Sequence, residues 1–322
     1  MGTVVVFPGQ GSQKMGMAQD FHGTYAESRR VFEQASSALG LDMCALCFEE
    51  DERLHLTEFT QPAILTAEIA MLRALEAHHG LQAERWGGHS LGEYTALVAA
   101  GALPLEEGVC IVAERGRRMQ IAVPPGEGAM AAIIHRELDL SRIEGAIEGL
   151  SVDIANHNAV NQVVISGTRA DVEVAVERYR GTPEGGGARV RMLTVSAPFH
   201  SRLMGPIEPG FRTVLAAAGW DAPASASVVS NTSGTMHDGT LEGLLGRLTG
   251  QISGTVRWMD CMHTLLEGAD RIIEVGPGRP LRGFFRGLDA LGQTPLHAVT
   301  NLSSVGHVFG RIPGREDSGT PA

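Results

Sequence analysis

The sequence changes its pattern part-way along, and that change limits the folds open to it. Residues 3–122 alternate short apolar runs with helical periods. An apolar strand at 4–7 precedes helices around 25–39 and 62–78, and a glycine turn at Gly87-Gly88 leads into a helix from Glu93. Strands that alternate with helices favour a parallel sheet covered on both faces. The run Val123-Pro124-Pro125-Gly126-Glu127-Gly128 is a cluster of turn formers and reads as a boundary. Beyond it the expected order is strand 129–134, helix 140–150, strand 152–155, strand 162–166, helix 169–180 and strand 189–195. This βαββαβ order is the ferredoxin-like pattern. After Pro198 the alternation resumes, with a helix near 204–218 and strands at 227–230 and 271–275. The expectation is an α/β chain with a large domain from residues 1–126 and 199–302, interrupted by a small domain at 127–198. The last segment, 303–322, lacks a sustained apolar period and is expected to be loose. Chemistry is expected in the cleft between the two domains.

Length and charge narrow the function classes. At 322 residues the chain has material for about two domains. Its 26 Lys and Arg against 37 Asp and Glu give a net charge of −11, which argues against a dominant nucleic-acid or anionic-membrane surface. No apolar run reaches the roughly 20 residues that span a bilayer. No basic stretch precedes the apolar residues at 3–7, so a cytoplasmic protein is expected. Cys44 and Cys47 form a lone C-x-x-C inside an apolar stretch, without the partner pair that zinc needs. They read as core residues. No cluster has metal-ligand spacing such as H-E-x-x-H, so no metal is expected.

Gly88-His89-Ser90-Leu91-Gly92 matches G-x-S-x-G in the required context, with a strand-like approach before it and the helical run 93–100 after it. The glycines permit a sharp turn that lifts the Ser90 hydroxyl clear and aims it at a helix N-terminus, where free N–H groups can hold an oxyanion. Ser90 is therefore the candidate nucleophile, and it needs a base. Of twelve histidines, His78, His79, His237 and His307 lie in polar or loop-like stretches, and His89 is expected to point away from its neighbour's hydroxyl. His200 stands where the chain re-enters the large domain across the cleft. No acidic residue offers itself as a third member, although a backbone carbonyl can hold an imidazole tautomer equally well.

The chain resembles the malonyl-CoA:acyl carrier protein transacylases, through motifs that occur in the same order over about residues 3–300. They are Phe7-Pro8-Gly9-Gln10-Gly11-Ser12-Gln13, Thr60-Gln61-Pro62-Ala63, Gly88-His89-Ser90-Leu91-Gly92-Glu93-Tyr94, Arg115-Gly116, Gly128-Ala129-Met130-Ala131-Ala132, Asn156-His157-Asn158, Phe199-His200-Ser201 and Glu274-Val275-Gly276-Pro277-Gly278. The resemblance implies an α/β-hydrolase-like core with a ferredoxin-like insertion. It implies Ser90 as nucleophile, His200 as general base, and the backbone N–H groups of Gln10 and Leu91 as oxyanion hole. Arg115 matches the arginine that clamps the free malonyl carboxylate, a task suited to a planar fork. Gln61, Asn156 and Asn158 match supporting pocket residues, and Phe199 matches the bulky residue of malonyl-selective members. Where the family commonly carries Asn or Ser followed by Pro before Val256-Arg257-Trp258, this chain has Ser253-Gly254-Thr255. The carbonyl of Gly254 is the expected support for His200.

The implied reaction is ping-pong transfer of malonyl from malonyl-CoA, through acyl-Ser90, to the phosphopantetheine thiol of an acyl carrier protein, by a monomer with no permanently bound cofactor. Because such carriers are acidic, a local arginine patch is expected from Arg117, Arg118, Arg189, Arg191 and Arg202. Three other readings stay open. A proofreading acyl hydrolase would release acyl groups to water, a non-catalytic scaffold would only bind carrier, and a generic esterase would gain nothing from Arg115. Fatty-acid and polyketide synthesis are equally compatible with these residues.

Overall fold

In a computed structural model, which describes residues 2–182, 185–288 and 291–310, strand β1 (Thr3–Phe7) is buried along its whole length. A strand buried on both faces belongs inside a parallel sheet. β1 pairs in parallel with β2 (Arg85–Gly88) on one side and β7 (Arg271–Val275) on the other, and β8 (Leu296–Val299) completes the order β2-β1-β7-β8. Phe7 lies opposite Gly88, so the loops after β1 and β2 leave the sheet side by side at its carboxyl end, where open α/β sheets place ligands. The helix Thr57–His79 is buried through most of its 23 residues, as its weakly amphipathic sequence requires.

The inserted unit has β3 (Gly128–Ile134), β4 (Val152–Ala159), β5 (Gln162–Thr168) and β6 (Arg189–Met192), all antiparallel in the order β4-β5-β3-β6. Helices Leu140–Ile147 and Arg169–Arg180 complete the βαββαβ unit. Strand alternation divides its sides. Ala129, Ala131 and Ile133 pack with Val172 and Tyr179 in the unit's own core, whereas Met130 and Ala132 join the core of the large sheet. β4 is also tied through the backbone to the segment before the helix Trp258–Leu266, since His157 N–H donates to the Val256 carbonyl at 2.9 Å and Val256 N–H to that of Ala155 at 2.8 Å.

Several local expectations change: the helix expected near 204–218 divides into a 3-10 turn, Arg202–Ile207, and the helix Glu208–Ala216, the strand expected at 152–155 runs on to Ala159, and the helix expected at 140–150 ends at Ile147. The strand expected at 227–230 is reduced to single bridges at Val228 and Val229, because a 3-10 turn, Ala222–Ser227, runs into it. β6 ends at Met192, three residues early, and the chain turns to line a pocket. The segment expected to be loose begins with the helix Leu302–Phe309, capped by Asn301 and Ser304, with Val305 buried and the Phe309 ring 5.5 Å from that of His79. Two turns are too short for a period to register. Residues 311–322 lie outside the described residues. Among the described residues no helix is long and apolar enough to cross a membrane.

Candidate active site

β2 delivers the chain to a tight turn in which Ser90 takes φ 54° and ψ −99°, immediately before the helix Leu91–Ala99. The flanking glycines are there for space. A Cβ on Gly88 would lie 2.0 Å from the backbone of Gly92, and one on Gly92 would lie 2.3 Å from the Phe7 carbonyl. The turn is thus pressed onto the end of β1. Asn231 secures it from the other side, accepting from Ser90 N–H at 2.6 Å and donating to the Gly88 carbonyl at 2.8 Å.

His200 also has positive φ, 56°. Its Nε2 is 2.8 Å from Ser90 Oγ, and its Nδ1 is 2.8 Å from the backbone carbonyl of Gln251. With Nδ1–H donated to that carbonyl, Nε2 is left as the acceptor for the serine hydroxyl. Burial, then the nearby Arg115 charge, push the imidazole down to about 3, so it is neutral at pH 7. The backbone of the expected Gly254 does face the imidazole, and Gln251 supplies the nearer acceptor. The helix Leu241–Gly250 ends just before the site, its last carbonyls lack intrahelical partners, and Gln251 presents such a carbonyl to Nδ1. Gly254 also donates its N–H to the Gly250 carbonyl at 2.8 Å, and a Cβ there would lie 2.6 Å from that oxygen. Thr255 Oγ1 donates to the Ile154 carbonyl at 2.6 Å, which ties this segment to β4.

Arg115, on the helix Leu105–Ile121, is only 1% exposed. One terminal nitrogen donates to Gln61 Oε1 at 2.9 Å, and the other to Gln251 Oε1 at 2.8 Å and Ser90 Oγ at 3.1 Å. The guanidinium lies over the Tyr94 ring, 5.3 Å from its centroid. Among the described residues it makes no ion pair, and its Nε has no partner. Burial draws its pKa below the ordinary arginine value, although a guanidinium stays charged at pH 7.

These groups surround a cavity of about 130 Å³. Gln61, Arg115, Asn156, Phe199, Met119, Met130, Leu193 and Val195 line it together with Ser90, His200, Gln10, Leu91 and His89. Leu91 N–H stands at the first position of its helix, where it has no intrahelical acceptor. Asn158 does not line the cavity. It accepts from His89 Nε2 at 2.8 Å and donates to Gln162 at 3.0 Å, holding the His89 ring 5.7 Å from that of Trp258 and away from the Ser90 hydroxyl.

Four residues at the site have no counterpart among the expected ones: Gln251, Asn231, Glu93 and His237. His237 lies in a loop as expected but is buried there, 2.9 Å from Glu93 Oε1. The one signal was Glu93, a charge in the first turn of an otherwise apolar helix. Cys44 and Cys47 sit as free thiols on the helix Met43–Phe48, and among the described residues no group of side chains could hold a metal.

A serine on a strand–turn–helix elbow, paired with a carbonyl-held histidine inside a two-sheet α/β fold, defines an acyl-transfer protein. The acyl transferase domain family matches residues 4–269. A malonyl CoA-acyl carrier protein transacylase of Bacillus subtilis is 40% identical over 286 residues, covering 87% of this chain and 88% of its own length. Among solved structures, an acyl-carrier-protein S-malonyltransferase from Burkholderia pseudomallei superposes with a TM-score of 0.88 at 38% identity, covering 97% of this chain and 100% of the other. A malonyl-transacylase in complex with its type II PKS acyl-carrier protein gives 0.88 at 34% identity, covering 96% and 99%. The chain belongs to the acyl transferase domain family and, within it, to the malonyl CoA-acyl carrier protein transacylases.

Proposed function

We propose that this protein moves a malonyl group from malonyl-CoA to the phosphopantetheine thiol of an acyl carrier protein by way of malonyl-Ser90. The observation that carries the reading is Arg115. A buried guanidinium without a carboxylate partner costs several kcal/mol of desolvation, a cost that an anionic substrate group offsets and a neutral acyl chain does not. It stands 3.1 Å from Ser90 Oγ, with only neutral oxygens on its donors, which suits a short acyl group ending in a carboxylate.

In the first half-reaction His200 Nε2 takes the Ser90 proton as Oγ attacks the thioester carbonyl. The N–H groups of Gln10 and Leu91 serve as the oxyanion hole, and one such donor is worth roughly 3 kcal/mol in other acyl-transfer enzymes. The intermediate collapses, the C–S bond breaks, and imidazolium returns the proton to the coenzyme A thiolate. In the second half the carrier thiol gives its proton to His200, attacks malonyl-Ser90, and Oγ recovers the proton as it leaves. Gln61 and Asn156 support the pocket, and Phe199 narrows it against an added methyl group, a preference of about 1–3 kcal/mol. No resident cofactor enters these steps. The setting is cytoplasmic, where coenzyme A thioesters and carriers meet.

Initial rates with both substrates varied test the scheme. Parallel double-reciprocal lines and a malonyl-enzyme that passes to holo-carrier faster than to water are expected. Faster loss to water would favour the hydrolase.

A further inference from the structure

The polar groups behind the pocket converge on one amide. Gln251 is 1% exposed, and its side chain and backbone meet three functional residues at once. Its carbonyl holds His200 Nδ1 at 2.8 Å, its Oε1 accepts from Arg115 at 2.8 Å, and its Nε2 donates to the Ser90 carbonyl at 3.1 Å and to Glu93 Oε2 at 2.6 Å. Glu93, also 1% exposed, is the one carboxylate in this network. Its remaining lone pairs accept from Asn231 N–H at 3.0 Å and from His237 Nε2 at 2.9 Å.

An amide can sit in such a slot either way round, and the charges at its two ends decide between them. A carboxylate accepts only and a guanidinium donates only. With the amide NH2 toward Glu93 and its oxygen toward Arg115, both contacts are attractive; reversed, both are repulsive, in a site too dry to screen them.

We propose that Glu93 is a positioning residue of the acyl pocket, whose carboxylate fixes the polarity of the Gln251 amide and through it aims Arg115 at the substrate carboxylate. The inference rests on the Arg115 reading above. It extends that reading to a residue that touches neither substrate nor the dyad side chains, and it makes malonyl recognition depend on a charge two hydrogen bonds away.

Glu93→Gln tests this, because the shape is kept, one oxygen remains at the Oε2 position for Asn231 and Gln251, and the new NH2 faces His237, whose Nε2 accepts in its other tautomer, while the charge that biases Gln251 is lost. Two readouts are compared with the parent and with Arg115→Ala: kcat/KM for loading from malonyl-CoA, and the rate at which an uncharged acyl phosphonate labels Ser90. In Glu93→Gln malonyl loading should fall tenfold or more, chiefly through KM, with phosphonate labelling slowed less than threefold. Equal falls in both, or malonyl loading kept within threefold, would overturn the proposal. Arg115→Ala separates the two levels. If it leaves malonyl loading intact the clamp itself is wrong, whereas if it abolishes loading and Glu93→Gln does not, only the role of Glu93 is wrong. The exchange Glu93→Gln/Gln251→Glu covers the case in which the single variant does not fold. It restores an amide–carboxylate pair with the carboxylate now facing Arg115, and should lower malonyl loading at least tenfold more than it lowers phosphonate labelling, the ratio of the two rates being the readout. Parent-like loading in the exchange, or failure of both variants to fold, would assign the pair a structural role only.

Discussion

Ser90 and His200 stand 2.8 Å apart, Oγ to Nε2, and each holds a positive φ, a backbone state that only Ala18 shares among the described non-glycine residues. Such conformations cost about 1–3 kcal/mol each and persist where the surroundings over-determine them. Here the surroundings can be named: Asn231 and the Gly88–Gly92 contact at the serine, and Gln251 at the histidine. The proposed dyad is held by backbone placement, with a carbonyl fixing the imidazole tautomer as a carboxylate does in a triad.

The first prediction concerns pH. With its pKa pushed down to about 3, His200 remains a neutral base well below pH 6.5, where an ordinary histidine would be half protonated. In the free enzyme kcat/KM for malonyl loading should therefore show no His200 inflection near pH 6.5. The same shift has a stability consequence. Between pH 6.5 and about 3 the unfolded chain binds a proton at this residue that the folded chain refuses, so its contribution to stability is full above 6.5 and is lost as pH falls through that window. Rate profiles and chemical denaturation at pH 5 and 7 check both.

Arg115→Lys keeps a charge and loses the fork. Malonyl loading should drop about 10- to 100-fold, the range of a charge-assisted hydrogen bond worth about 1.5–3 kcal/mol, while phosphonate labelling of Ser90 changes little. Quench-flow loading rates are the measurement.

Gly92→Ala puts a methyl group into the Phe7 carbonyl at the foot of the elbow. Overpacking of this kind costs about 1–3 kcal/mol, and here it also displaces the nucleophile. A lower denaturation midpoint together with slower loading is expected, whereas an unchanged midpoint would mean that the elbow yields.

Of the five arginines expected in a carrier-binding patch, Arg117 and Arg118 bind Glu114, and Arg202 binds Asp153. Arg189 and Arg191, exposed on edge strand β6, make no ion pair among the described residues. Reversing both to Glu should raise the carrier KM about tenfold, more at low salt, and leave malonyl loading unaltered, since rim charges act chiefly on encounter. Equal effects on both steps would remove β6 from the docking face.

The nucleophile turn and the βαββαβ insertion were legible because each is written locally, in glycines flanking a serine and in periods that switch within a few residues. Arg115 was not distinguishable by spacing from its neighbours Arg117 and Arg118, and resemblance singled it out. Of the two backbone groups that support His200, resemblance singled out Gly254 and not Gln251, because a backbone carbonyl carries no side-chain signature and its position depends on where a helix ends. Glu93, Asn231, His237 and Gln251 come together from segments more than 130 residues apart, and no local pattern announces that meeting.

The central claim is that Ser90 carries a malonyl group held by Arg115. Intact-mass spectrometry after brief mixing with malonyl-CoA or acetyl-CoA, using the parent, Ser90→Ala and Arg115→Ala, tests it most directly. A malonyl adduct that holo-carrier removes is expected on the parent, no adduct on Ser90→Ala, and on Arg115→Ala a loss of malonyl that acetyl does not share. Loading of acetyl in preference to malonyl by the parent, or malonyl loading indifferent to Arg115→Ala, would contradict it.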